Sequence, residues 1–206
     1  MSEMPKLQTA RLLIRPFELG DFDSVYRLFD LDLGPLHETP DEGDVRQRRA
    51  DWLAWASMNH QQLAGLDQPP LGDRAILLKE TGALIGSVGF VPCLAPFAQL
   101  PNFDYYDPSV GQPYFTFEVG LFYAISPIYQ RQNFATEAAL AMISYAFREL
   151  HLKQVIATTE YDNLASQRVM LKLGMTIEKN PLSEPLWLQV VGVLKNDLPW
   201  VPIARI

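Results

Sequence analysis

The 206-residue chain carries one cysteine, Cys93, so it cannot form a disulfide within itself. No histidine lies near Cys93 in sequence and no thiolate-stabilising motif surrounds it, so it reads as a plain structural thiol. The three histidines, His37, His60 and His151, are scattered without metal-ligand spacing, and no metal is expected. Positive charge is scarce. Seventeen Lys and Arg against 24 Asp and Glu leave a formal net charge of −7, which argues against sequence-independent nucleic-acid binding and suits a cationic substrate. No run approaches transmembrane length, and Met1 to Ala10 has no apolar signal core. Neither a membrane span nor secretion is expected, and a cytoplasmic location follows. No G-x-G-x-x-G follows a strand, which sets aside a dinucleotide-binding oxidoreductase. Repeats, low-complexity tracts and interdomain linkers are also missing. With 48% hydrophobic residues, the chain is expected to form one domain over 1–206 with a real core.

What is present centres on the segment from Phe115 to Leu150. Phe115 to Ile125 is rich in aromatic and β-branched residues and predicts a strand, which Ser126-Pro127 stops. Phe134 to Leu150 predicts a helix. Leu140, Ile143, Phe147 and Leu150 form one apolar stripe, widened by Phe134, Ala138, Met142 and Tyr145. Between them lies the polar loop Gln130-Arg131-Gln132-Asn133. A strand, a short loop and a helix N-terminus in succession make a phosphate site, because the first helical N–H groups lack partners and the macrodipole favours an anion.

This loop resembles the pyrophosphate-binding segment of the GCN5-related N-acetyltransferases. Their pattern is Q/R-x-x-G-x-G/A, and here it reads Gln130-x-x-Asn133-x-Ala135, followed by Thr136-Glu137-Ala138 as in the ribosomal-protein-alanine acetyltransferase-like branch. Arg131 and Asn133 stand where relatives usually carry glycine. Thr9 to Pro16 matches the family's opening T-x-R-L-x-L-R-P and predicts a first strand. The run from Asn163 to Met175 meets nearly every position of N-x-x-S-x-x-V-x-x-K-L-G-F. The resemblance implies acetyl-CoA as cosubstrate. It is held by Tyr123, Ala124 and Ile125 on the strand, by Gln130, Arg131, Gln132, Asn133, Phe134, Ala135 and Thr136 at the loop, and by Asn163 and Ser166 beside the pantetheine arm.

The resemblance also implies the chemistry. Relatives often place a glutamate in E-x-G on the strand, matched by Glu118-Val119-Gly120, but with two fewer residues before the proline. The offset keeps Glu118 on the same face and moves it roughly 7 Å from the loop, which a bulge would absorb. Many relatives carry a tyrosine acid where this chain has Met170, and Ser166, about one turn earlier, is the replacement. Glu118 and Ser166 are thus the expected catalytic residues, as base and acid.

The remaining segments predict an α/β (α+β) fold with a mixed sheet of about six to seven strands and about four helices. Asp21 reads as the cap of a first helix carrying Phe22, Val25, Leu28 and Phe29. After a loop from Leu33 to Pro40, Asp41 or Asp44 starts a second helix through Trp52, Trp55 and Met58. In the family these helices wall the acceptor groove, and the two tryptophans suit that wall or plain packing. Arg74–Lys79 and Ala83–Val91 predict a hairpin that Pro92 ends. An inserted loop follows at about 92–113, with Phe97, Phe103, Tyr105 and Tyr106, as a lid or a dimer contact. Gln154–Glu160, Thr176–Lys179 and Leu186–Leu194 are further strands. Asp162 or Asn163 caps a helix with Val169, Met170 and Leu173 inward, and Asn196 to Trp200 closes the domain. The chain therefore reads as a monomeric or homodimeric enzyme. It acetylates a primary amine, a small molecule or a protein N-terminus, without nucleic acid or membrane. The alternative is a catalytically degenerate CoA-binding or protein-interaction module, drawing on Arg131, Asn133, Met170 and the displaced Glu118.

Overall fold

Eight strands form one mixed sheet in the order β1-β2-β3-β4-β5-β6-β8-β7, and among the described residues only β5 and β6 are parallel neighbours. The computed structural model describes residues 5–34, 45–104, 106, 114–182 and 184–197. The expected cap at Asp41 or Asp44, the loop beyond residue 34, Tyr105 and the closing Leu198-Pro199-Trp200 lie outside them.

The first expected strand is two: β1 (Leu7–Gln8) and β2 (Leu12–Pro16). Thr9 breaks it by bonding back on Leu12, donating N–H to the Leu12 carbonyl and accepting the Leu12 N–H at Oγ1. This division makes the sheet eight-stranded. The first helix begins where expected, directly after Asp21. A 3-10 turn, Leu19–Asp21, precedes α1 (Phe22–Tyr26), which passes into a π-helical segment, Arg27–Asp32. Asp21 accepts the Glu18 N–H from inside the turn and is braced by Arg15, rather than capping α1 with its side chain. The second helix, α2, runs Val45–Gly65.

β3 (Gly72–Leu78) and β4 (Leu84–Ala95) form the expected hairpin, but Pro92 does not end it. Pro92 sits opposite Val119, beyond the last β3 partner at Phe90. That stretch of β4 is an edge on its β3 side, where a missing N–H costs no ladder bond. The start of the following connection is packed rather than free. Phe97, Leu100 and Phe103 join Ile156, Leu188, Val191 and Val193 in a buried cluster.

The central segment is β5 (Thr116–Ile125), a 3-10 turn (Pro127–Tyr129) and α3 (Phe134–Arg148). The expected α3 face is largely buried, at Phe134, Ala138, Met142, Ile143, Tyr145 and Phe147, and Ala139 and Ala146 join it, whereas Leu140 is 48% exposed. Beyond it come β6 (Gln154–Thr159), α4 (Leu164–Lys172), β7 (Thr176–Lys179) and β8 (Val190–Lys195), the last starting four residues later than expected. Asn163 caps α4 by accepting the Ser166 N–H at 3.1 Å, and Gly174 ends it at φ +82°.

The sheet has two faces. On one, α3 and α4 bury Met142, Ala146 and Met170 against Leu12, Ile14, Ile76, Phe90 and Leu121. On the other, α1, the π-helical segment after it and α2 bury Val25, Phe29, Leu53 and Ala56 against Ala75, with Phe122 and Ala124 alongside. Each fully buried Val, Leu, Ile, Phe or Met side chain among them stabilises the fold by roughly 1.5–3 kcal/mol. Residues of β5 therefore alternate between a face toward α3 and a face toward α2.

Candidate active site

The phosphate loop is built by backbone conformation. Arg131 and Asn133 adopt φ +61° and +64°, the left-handed region that glycine occupies without strain. The departures from glycine thus leave the loop's shape intact. Asn133 precedes α3 without capping it. Its side chain bonds no helical N–H, and its Oδ1 accepts from Lys172 Nζ at 2.6 Å. The N–H groups of Phe134, Ala135 and Thr136 are consequently left uncapped at the positive end of the helix dipole. Gln130 is tied down, its Nε2 donating to the Ile125 carbonyl at 2.9 Å.

Two cations flank this end. Lys172 is one. Arg11 is the other: it donates to the Gln132 carbonyl at 3.0 Å and lies 4.2 Å from the Phe134 ring centroid. Glu137 anchors Arg11, and although burial works against its charge, hydrogen bonds from Thr9 and Arg11 hold its carboxyl below the ordinary range. Uncapped N–H groups, a glycine-like loop and two basic side chains are together features that can receive a phosphate ester.

β5 and β6 then part. Their parallel pairing is recorded at Gly120 and Ile156 alone. Ser126 donates its N–H to Ile85 on β4, so by alternation the backbones of Tyr123 and Ile125 point the other way, into the opening. An unpaired strand edge of this kind accepts an extended amide-bearing chain by adding hydrogen bonds. The pantetheine arm is such a chain. Tyr123 projects on the α3 face of this opening. Its hydroxyl lies 2.9 Å from Ser166 Oγ and donates to the Ser166 carbonyl at 3.2 Å. Burial pushes the Tyr123 phenol up, partly offset by its bond to Ser166. Asn163 spends its Oδ1 on the α4 cap.

Glu118 lies on the other face of β5, two residues before Gly120. It is buried and accepts from Gln154 Nε2 at 2.8 Å. The expected bulge is not there. β5 pairs with β4 continuously from Thr116 to Ile125, with Glu118 opposite Cys93. Burial and the neighbouring Glu118 charge push the Cys93 thiol up, so it is a poor nucleophile. Met170 is fully buried and faces the core, where it plays no part at the opening.

Gln154, the Tyr123–Ser166 contact and the pairing of Lys172 with Asn133 were missed in the sequence. Gln154 is placed only by the parallel register, which sets Gln154 and Glu118 two residues before the Ile156–Gly120 pair on each strand.

The acetyltransferase (GNAT) domain family matches residues 11–176. The chain belongs to this family. An uncharacterised N-acetyltransferase of Bacillus subtilis (strain 168), YnaD, is 30% identical over 172 residues, 84% of this chain and 83% of its own. Among solved structures, the ribosomal-protein-S5-alanine acetyltransferase of Vibrio fischeri has a TM-score of 0.65 at 15% identity, covering 97% of this chain and 100% of its own. An acetyltransferase of Agrobacterium tumefaciens str. C58 has a TM-score of 0.63 at 22% identity, covering 94% and 96%. These two share the fold. As a family member the chain is an N-acetyltransferase, and the family takes its acyl group from acetyl-CoA.

Proposed function

We propose that this enzyme moves the acetyl group of acetyl-CoA onto a primary amine, a small molecule or a protein N-terminus, by direct attack. The observation that carries this reading is the continuity of the unpaired β5 edge with the uncapped α3 N-terminus. Together they make one track for an extended chain ending in a pyrophosphate. The acyl donor lies along Tyr123, Ala124 and Ile125, with its phosphates against residues 130–136 and its arm beside Asn163. Because α3 and α4 cover that side, the amine approaches from the α2 face, where Glu118 lies.

Glu118 takes the amine proton through a water, which the roughly 7 Å between residues 118 and 120 of a strand requires. Ser166 gives a proton to the departing sulfur, backed by the Tyr123 hydroxyl. The same reading keeps the enzyme in the cytoplasm as a monomer or homodimer.

The test is acetyl-CoA turnover, read as free thiol, against a panel of amines and N-terminal peptides, with a melting curve beside it. Saturating acetyl-CoA should raise Tm, since a ligand bound to the folded state alone stabilises it. Turnover should follow for at least one amine. An unmoved Tm contradicts the CoA track. A raised Tm without turnover of any amine favours a CoA-binding module.

A further inference from the structure

Two residues of the phosphate loop stand in a conformation that their side chains disfavour. Arg131 and Asn133 hold φ +61° and +64°. A left-handed backbone at a residue other than glycine persists only where the surroundings over-determine it. The loop therefore has to be held from outside, and its neighbours do so residue by residue. Gln130 donates from Nε2 to the Ile125 carbonyl at the end of β5, at 2.9 Å. Gln132, between the two left-handed residues, accepts at its carbonyl from Arg11 Nη2 at 3.0 Å. Asn133 is met from the other side by α4, its Oδ1 accepting from Lys172 Nζ at 2.6 Å.

The Arg11 tie is the most heavily built. Nε donates to Glu137 Oε2 at 2.7 Å, and Nη2, which holds the loop, lies 2.6 Å from the same oxygen. Glu137 Oε1 accepts the Arg11 N–H at 3.0 Å and the Thr9 hydroxyl at 2.5 Å. The guanidinium carbon lies 4.2 Å from the centroid of the buried Phe134 ring. Behind it, the Thr9–Arg11 turn is pinned to the sheet by Lys79, just past β3. Lys79 donates its N–H to the Arg11 carbonyl at 2.9 Å and its Nζ to the Thr9 carbonyl at 2.6 Å. An exposed ion pair alone contributes little. Here one carboxylate takes the guanidinium, a backbone N–H and a hydroxyl together, so Arg11 is fixed in place, and that place is against Gln132.

We propose that Arg11, held by Glu137, and Lys172 are positioning residues that keep Arg131 and Asn133 in the left-handed shape of the phosphate loop, a shape glycine would hold without them. They act on CoA through the loop and not by touching its phosphates. This rests on the reading of the loop as the phosphate site, and it says what keeps that site in shape in a chain without the loop glycines.

The experiment measures the Kd of CoA by calorimetry, and KM and kcat for acetyl-CoA, in Arg11→Gln, Arg11→Lys, Glu137→Gln and Lys172→Met. Each change is made in the wild type and in an Arg131→Gly/Asn133→Gly background, and is compared with its own background. In the wild type, Arg11→Gln and Glu137→Gln should each weaken CoA about tenfold, the size of the strain they leave unopposed. The loss should appear in KM with kcat little changed, and the two changes together should cost no more than either alone. Arg11→Lys keeps the charge but not the fork, and should match Arg11→Gln. In the glycine background the Arg11 and Glu137 losses should shrink to about twofold, because glycine adopts this shape without strain. Lys172→Met should weaken CoA in the wild type and have no effect there, since its partner amide is gone. Hydrogen exchange at the amides of residues 131–134 should quicken in Arg11→Gln. Unchanged CoA affinity in folded Arg11→Gln overturns the proposal. So do equal losses in the two backgrounds, or an Arg11→Lys protein that binds like the wild type, since both mark direct attraction to phosphate. No CoA binding by the wild type defeats the phosphate-site reading instead. Loop hydrogen exchange then decides the bracing by itself, and exchange unaltered by Arg11→Gln overturns it.

Discussion

The Tyr123 hydroxyl stands 2.9 Å from Ser166 Oγ, joining β5 to the first turn of α4 across the opening between β5 and β6. One residue comes from a strand and the other from a helix 43 positions later. Their contact sets two hydroxyls side by side at this opening, whereas Met170 on the same helix is buried in the core.

Ser166→Ala and Tyr123→Phe should each lower turnover by about 10- to 100-fold at neutral pH, with both proteins folded. If the hydroxyls act as one path, the double variant should be little worse than either single one. Because burial raises the Tyr123 phenol, activity should not fall on the alkaline side until above its ordinary pKa of about 10. Initial rates of thiol release from pH 6 to 10 check both statements.

Glu118→Gln should bind acetyl-CoA normally yet lose roughly 100-fold or more of turnover near neutral pH. The amide keeps the shape but takes no proton. The deficit should shrink at higher pH, where more of the acceptor amine is already free. Gln154→Leu removes the donor that orients Glu118 and should give a smaller loss in the same direction. Calorimetry and thiol release together separate binding from chemistry.

Arg131→Gly should stabilise the protein, since a left-handed conformation is strained for arginine and open to glycine. The gain should be about 1 kcal/mol, a Tm rise of about 2–4 °C for a domain of this size. Asn133→Gly should gain far less, because asparagine tolerates this region and its Oδ1 accepts from Lys172. Melting curves of the two variants test the contrast.

Burial raises the Asp73 carboxyl to about 6, with Arg74 pulling the other way. Between about pH 4 and 6 the folded state therefore holds the proton that the unfolded state has lost. Stability contributed by this group is full below the unfolded value and declines as pH rises through 6. Asp73→Asn should remove that decline and be more stable than wild type at pH 7, by on the order of 2 kcal/mol. Urea unfolding at pH 4 and pH 7 measures it.

Much of this protein could be read from its sequence. The strand Thr116–Ile125, the loop after Pro127, helix α3 and the Asn163 cap of α4 all rest on local signals: side-chain alternation, proline stops, helical periodicity and capping chemistry. The family match is carried by the same stretches. The left-handed backbone of Arg131 and Asn133 could not be read from those residues, because they keep a shape that glycine normally signals. Whatever depends on register was decided by tertiary structure alone. Pro92 stays in β4 because β3 ends before it. Leu140 is exposed because α3 turns its Ala138–Met142 side to the sheet. Gln154 reaches Glu118 and Tyr123 reaches Ser166 only through contacts between residues 36 and 43 positions apart. Local sequence sets which residues share a face of their own element. Which faces then meet is fixed by the packing of the whole sheet, because a shift of one residue in register would turn every one of these side chains to the other side.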